Sequence, residues 1–142
     1  PFNVFGDGQG PGHAIPDLLA SFKSGAPVFR GDTSATRAFI HVSDFIAGCL
    51  AIAKHHEGDE RAREVYNVGN DQEIRVFMLA RHIEAAMTGD RGQDMTVELG
   101  PPGATMRRCP DVSKLRALGW SPKVDVIAAV RDMAAAYREA KG

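Results

Sequence analysis

The chain is poor in cysteine. Among its 142 residues only Cys49 and Cys109 occur. Two thiols make neither a disulfide framework nor a metal set, and they set the expectation of a reducing, cytoplasmic compartment. No paired His/Cys spacing suggests zinc, so no metal site is expected. An excess of charge of one sign is also missing. Lys plus Arg total 17 and Asp plus Glu 18, for a net charge of −1. That argues against capture of nucleic acid or of an anionic membrane as the main role. No long apolar run is present, which excludes a transmembrane helix in these residues. Residues 1–12 are polar and glycine-rich and do not read as a secretory signal. There is no initiator Met. The opening Pro1-Phe2-Asn3-Val4-Phe5 reads like the end of a buried strand, so a piece of something longer is expected. What remains is ordinary for a soluble globular domain: 44% hydrophobic and 25% charged residues, with length enough for one domain and a real core.

Short strands alternate with helices along the chain, which predicts an α/β fold. Asn3 to Phe5 is followed by a loop holding Gly6, Gly8, Gly10, Pro11 and Gly12, too broken for a helix or a strand interior. Ile15, Leu18, Leu19 and Phe22 recur at helical spacing, and Gly25 stops that helix. Pro27 to Arg30 and Thr36 to Val42 are expected strands. Ser43 and Asp44 offer a cap for a helix of about three turns with Phe45, Ile46, Cys49, Leu50 and Ala53 as its buried stripe. Cys49 is thus expected in the core. His55 to Glu64 reads as a solvated loop, with His55 and His56 pointing apart at a helix end. Val65 to Val68 predicts a strand, Val76 to Met87 a helix, and Thr96 to Leu99 a short strand before Pro101, Pro102 and Gly103. Asp111 is the expected N-cap of a short helix ended by Gly119. Val126, Ile127, Val130, Met133, Ala134 and Tyr137 stripe the last one. No boundary divides residues 1–142.

No nucleophile–base pair stands out, although triads are assembled in space and spacing excludes none. Three places rise above background. Asn3 to Gly8 runs a strand into a glycine-rich loop, which either brings backbone to a ligand or is merely a turn. Arg37 opens an apolar strand. Its guanidinium either grips a phosphate in bidentate fashion or pairs with Asp32 or Asp44. Arg107 and Arg108 stand just before a helix, where they meet an anion or remain solvated.

Taken in order, four segments resemble the C-terminal half of an extended short-chain dehydrogenase/reductase of the NAD-dependent epimerase/dehydratase family, which acts on nucleotide sugars. Residues Pro1 to Gly6 resemble "R-P-x-N-V-Y-G", and Arg37 to Asp44 resemble "R-D-F-I-x-V-D-D". Val65 to Gly69 resembles "x-Y-N-V-G". Asp111 to Lys114 with Leu118 to Pro122 resembles "D-x-S-K … L-G-W-x-P". The resemblance implies the C-terminal portion of a Rossmann-like NAD(P)-binding fold plus a small mixed α/β substrate-binding lobe. The N-terminal dinucleotide-binding part, with its glycine fingerprint and Tyr-x-x-x-Lys pair, would lie outside this chain. Two imitations are rejected: Tyr137 with Lys141 closes an amphipathic helix, and Gly6-x-Gly8-x-Gly10 lacks the acidic partner of a dinucleotide motif.

By the same resemblance, Asn3 would donate its amide to a substrate diphosphate, Arg37 would grip it from the other side, and Arg108 would be a third donor. His13 and Ala14 would bring backbone near base and ribose. Pro1 and Phe2 would lie beside the nicotinamide. No catalytic residue is expected here. The implied cofactor is NAD, with NADP open, and the implied partner is a nucleotide sugar, in a homodimer of the complete enzyme. Asn67 would tie down its loop, and Trp120 and Pro122 would pack the last turn. The chain departs from the pattern at Ala38 and Ser43, where Asp is usual, and at Arg30, where an aromatic residue often covers the base; an arginine can stack there through its planar face. Two other readings follow: an NADPH-dependent nucleotide-sugar reductase, or a non-catalytic nucleotide-binding or interaction module. Upstream sequence would discriminate enzyme from module.

Overall fold

The computed structural model describes residues 1–59, 63–89 and 95–140. Its elements, in order, are β1 (Val4–Phe5), α1 (Ala14–Lys23), β2 (Val28–Arg30), β3 (Thr36–Ala38), β4 (Ile40–His41), α2 (Val42–His55), β5 (Glu73–Arg75), α3 (Val76–Thr88), β6 (Thr96–Glu98), β7 (Arg107–Arg108), α4 (Ser113–Arg116) and α5 (Val126–Glu139). The α/β class expected from the sequence is what the chain adopts. The strands form three small sheets. β1 pairs with β4 and β2 with β6, both parallel. The third sheet has the order β5-β3-β7, antiparallel on one side of β3 and parallel on the other.

Two apolar clusters hold these pieces. The larger joins Phe5, Phe29 and Phe39 to Ile15, Leu19 and Phe22 of α1, Leu79 and Ile83 of α3, and Val130 and Ala134 of α5. Each helix contributes the face that its apolar spacing defines. The smaller packs Ile40, Val68, Leu115 and Trp120 around the inner side of α2. Gly48 of α2 faces it so closely that a Cβ there would lie 2.9 Å from Val68 Cγ1 and 3.2 Å from Trp120. Trp120 therefore packs as expected.

Several expectations are corrected. Thr36 to Val42 is not one strand. Asn3 holds the carbonyl of Ala38 with its side-chain amide at 2.7 Å, and the Ile40 amide donates to the Asn3 carbonyl. The run therefore breaks at Phe39, and its halves join different sheets. Val42 then begins α2. Asp44 is no cap: His41 holds that place, its Nδ1 accepting from the Ser43 amide. Asp44 is buried, and one of its oxygens accepts the amides of Lys123 and Val124 at 2.9 and 2.8 Å. The buried side of α2 is also displaced from the expected stripe. Ile46, Cys49, Leu50 and Ala53 are exposed, Leu50 at 63%, while Gly48 faces inward. Apolar spacing locates a helix face, not which of two adjacent faces finds a partner.

Val65 to Val68 forms no strand, because no described strand runs beside it. It is fixed instead by Val68 in the smaller core and by Asn67, whose amide donates to the Asp111 carbonyl at 3.0 Å. That loop tie is the one expected of Asn67. His55 and His56 do not point apart: their rings meet at 4.8 Å, because His56 has already left helical backbone at the C-cap. Asp111 stands one residue before the assigned cap, Val112, yet its Oδ1 accepts the Ser113 amide at 2.9 Å. β5 was not anticipated. Lys141 and part of the His55–Glu64 loop lie outside the described residues.

Candidate functional site

A cavity of about 290 Å³ opens where β1, β2, β3 and the start of α1 converge. Its wall holds Asn3, His13, Ala14, Arg30 and Arg37, drawn from four separate places in the sequence. Arg108 is outside the wall but adjacent to it. β3 and β7 run parallel with Arg37 opposite Arg108, so both project from the same face of that sheet. Pro1 and Phe2 are not in the wall. Pro1 is exposed, and Phe2 leans on the backbone of Gly69, where a Cβ would lie 3.1 Å from its own.

Arg37 decides the character of the cavity. Neither expected ion pair forms: Asp44 is spent on the Lys123 and Val124 amides, and Asp32 accepts the Ser34 amide and hydroxyl. The guanidinium instead clasps backbone. Nη1 donates to the carbonyls of Thr36 and Met106, and Nη2 to that of Thr105. Among the described residues no carboxylate pairs with Arg37 or Arg108. Burial, and secondarily the positive charge of Arg108, pull the Arg37 pKa below its usual value. Two cations side by side without a counter-charge attract an anion.

The donors already in use show where that anion fits. A guanidinium has five N–H groups in a planar fork. Its terminal edge holds the Thr105 and Met106 carbonyls. Among the described residues Nε–H and one Nη2–H have no partner, and two such donors suit two oxygens of a phosphate. Asn3 also lines the cavity. Among the described residues it is the one non-glycine with positive φ, 42°, a backbone region that Asn tolerates better than most. One N–H of its amide serves Ala38, which leaves the other and the side-chain oxygen for a ligand.

Sequence reasoning named Asp32 only as an ion-pair partner for Arg37, and it missed Gly100, Pro101, Ala104, Thr105 and Met106, which complete the wall. The Gly100-Pro101-Pro102-Gly103 run signals a loop, but nothing in it tells that the loop folds over β3. The Glu73–Arg107 ion pair, with the Thr36 hydroxyl on the same carboxylate, fixes the end of β7 there. The described residues hold no cluster of three or more His, Cys, Asp or Glu able to bind a metal ion.

The sequence and the fold have known counterparts. Residues 1–69 match the model of the NAD dependent epimerase/dehydratase family. GDP-L-fucose synthase 1 of Arabidopsis thaliana is 33% identical over 138 residues, covering 89% of this chain and 40% of the relative. The chain thus spans about 40% of the length of this relative and of a second GDP-L-fucose synthase from the same plant. Its fold also matches solved structures. UDP-glucuronic acid 4-epimerase from Bacillus cereus, in complex with UDP-glucuronic acid and NAD, superposes with a TM-score of 0.79 at 23% identity, over 97% of this chain and 43% of that one. RMD from Pseudomonas aeruginosa, complexed with NADPH, gives 0.76 at 23% identity over 97% and 46%. The fold is therefore that of a portion of the Rossmann-type epimerases and dehydratases.

Proposed function

We propose that this chain is the substrate-binding part of an enzyme that modifies a nucleotide sugar with the help of NAD or NADP. The observation that supports this most is Arg37, which lines a cavity with Arg108 beside it and, among the described residues, has no carboxylate partner and two unpartnered donors. A nucleoside diphosphate carries the charge that such a site lacks. In this reading those Arg37 donors hold one phosphate, Arg108 adds a second positive charge, and the Asn3 amide donates as well. His13 and Ala14, at the start of α1, bring backbone to the nucleoside. Arg30 covers its base. The chain contributes binding energy and orientation, which fix the sugar against the reacting partner.

The nicotinamide ring, when bound, accepts a hydride from the sugar or delivers one to it. The residues present do not fit a whole dinucleotide, because the cavity wall includes neither Pro1 nor Phe2. In the proposal these two border only its edge, and the rest of a longer protein holds it. Names of relatives include synthases, reductases and dehydratases, so the outcome at the sugar is left to the residues that surround it elsewhere. The test is calorimetric titration of the full-length protein with nucleoside diphosphates and with pyrophosphate. Saturable binding that Arg37→Ala weakens for all of them alike supports the proposal. Equal affinity in a well-folded Arg37→Ala variant removes it.

A further inference from the structure

The β5-β3-β7 sheet sorts its charges by face. Side chains alternate along a strand. Ala35, Arg37 and Phe39 line the cavity, whereas Thr36 and Ala38 do not. The register sets Arg108 beside Arg37 and Arg107 beside Thr36. Arg107 therefore projects from the outer face, away from the cavity. β5 pairs Glu73 with Ala38, so Glu73 shares that outer face. Its carboxylate is the only one in the three strands. Oε2 accepts the Thr36 hydroxyl at 2.7 Å, and Oε1 pairs with Arg107 Nη2. One carboxylate thus ties all three strands, and those two contacts hold its pKa below the ordinary value.

β7 has only two residues, and both are arginine. Residue type alone does not tell which of them belongs beside Arg37. The backbone ties at this edge are blind to it: the Thr36 amide donates to the Met106 carbonyl, and Arg37 holds the carbonyls of Thr105 and Met106. Pro110, buried beside Gly69, pins the chain two positions further on. A slip of one residue in so short a strand exchanges its faces. Resting on the reading of Arg37 and Arg108 as a diphosphate site, we propose that Glu73 is the positioning residue of that site. By holding Arg107 on the outer face, it commits Arg108 to the cavity side. Its own negative charge stays behind the sheet, so the two inner cations keep the excess charge that a diphosphate requires.

The experiment is a double-mutant cycle, read by calorimetric titration of the full-length protein with UDP and with GDP and by a melting curve on each sample. Arg108→Ala alone should weaken both ligands about tenfold or more, the scale of a charge-assisted contact. In a Glu73→Gln background the same change should cost only about threefold, because the released Arg107 takes the inner place, a coupling that distant, independent sites do not show. Glu73→Arg combined with Arg107→Glu rebuilds the pair with its charges exchanged, and should restore the binding that Glu73→Arg alone weakens. A merely structural tie would move the melting temperature and leave the cost of Arg108→Ala the same in both backgrounds. That equality overturns the proposal. So does a charge-exchanged protein that melts like the unaltered one yet binds no better than Glu73→Arg. Arg37→Ala tests the underlying reading by itself. If it leaves both ligands bound as before, the diphosphate site falls and Glu73 has nothing to position; if it weakens them while the Arg108→Ala costs stay equal, only the role of Glu73 is removed.

Discussion

Arg37→Ala removes two sets of contacts at once: the proposed phosphate contact and the clasp on Thr105 and Met106. Sugar-nucleotide binding in the full-length protein should weaken by about 2–4 kcal/mol, the range for a charge-assisted, partly desolvated contact. Arg37→Lys should recover only part of it, since an ammonium cannot serve two edges. Calorimetry on both variants checks this, and cofactor affinity should barely move. Asp44 makes the complementary case. Its role was read as a helix cap, but its oxygen holds two amides that precede α5. Asp44→Ala leaves both without their buried acceptor, so the folded state should lose about 2–4 kcal/mol, roughly the penalty for two orphaned donors. Denaturant unfolding followed by the fluorescence of Trp120, the single tryptophan, measures it. The sequence offered no sign of this role, because the partners are backbone groups some eighty positions away.

At the scale of elements, α2 carries the most telling substitution. Gly48→Ala would gain helix propensity, up to about 1 kcal/mol. It would also drive a methyl group into Val68, Trp120 and Leu115. Overpacking of this kind costs about 1–3 kcal/mol, so the net effect should be a lower melting temperature, read by calorimetric scanning. Acid should act on the ties between elements. Glu73 is lowered in pKa by the Thr36 hydroxyl and by Arg107, Glu64 by Lys114 and Tyr66, and Asp111 by the Ser113 amide. A depressed carboxylate stabilises above its unfolded pKa, and the contribution vanishes as pH falls through the folded one. Melting temperature should therefore be flat near neutrality and drop as pH falls below the unperturbed carboxylate values of 4.5 and 3.8. A melt that is unchanged down to pH 3 would contradict these ties. Helices were the legible elements, because the 3.6-residue repeat of α1, α3 and α5 is also their burial pattern. Short strands were not: whether Thr36 to Val42 is one strand or two depends on the hook from Asn3.

Across the whole molecule, the exposed stripe Val42, Ile46 and Leu50 on α2 predicts that the chain by itself self-associates. Light scattering on the purified chain should show oligomers, and Ile46→Lys with Leu50→Glu should reduce them; a monodisperse unaltered chain would count against this. The isolated chain should also give no turnover with NAD and a panel of sugar nucleotides, since it carries no expected catalytic pair. Much of the candidate site was legible. Asn3, His13, Ala14, Arg30 and Arg37 were singled out by motif or resemblance, and the fold brings them to one cavity. Gly100, Pro101, Ala104, Thr105 and Met106 were not, because their place in the wall arises from pairings between remote strands.

Those pairings have a kinetic consequence. Val4 meets Ile40, Val28 meets Thr96, and Thr36 meets both Arg75 and Arg107. Among the described residues no two strands are joined as a hairpin, so each of these ladders must close a long loop before its first hydrogen bond forms. Helices form in microseconds or less, whereas such non-local topologies fold over about milliseconds to seconds. On a ribosome, β2 would emerge before its partner β6, and β3 before β5 and β7, each waiting unpaired until those strands had been made. The cavity they frame is therefore among the last features of the chain to take shape.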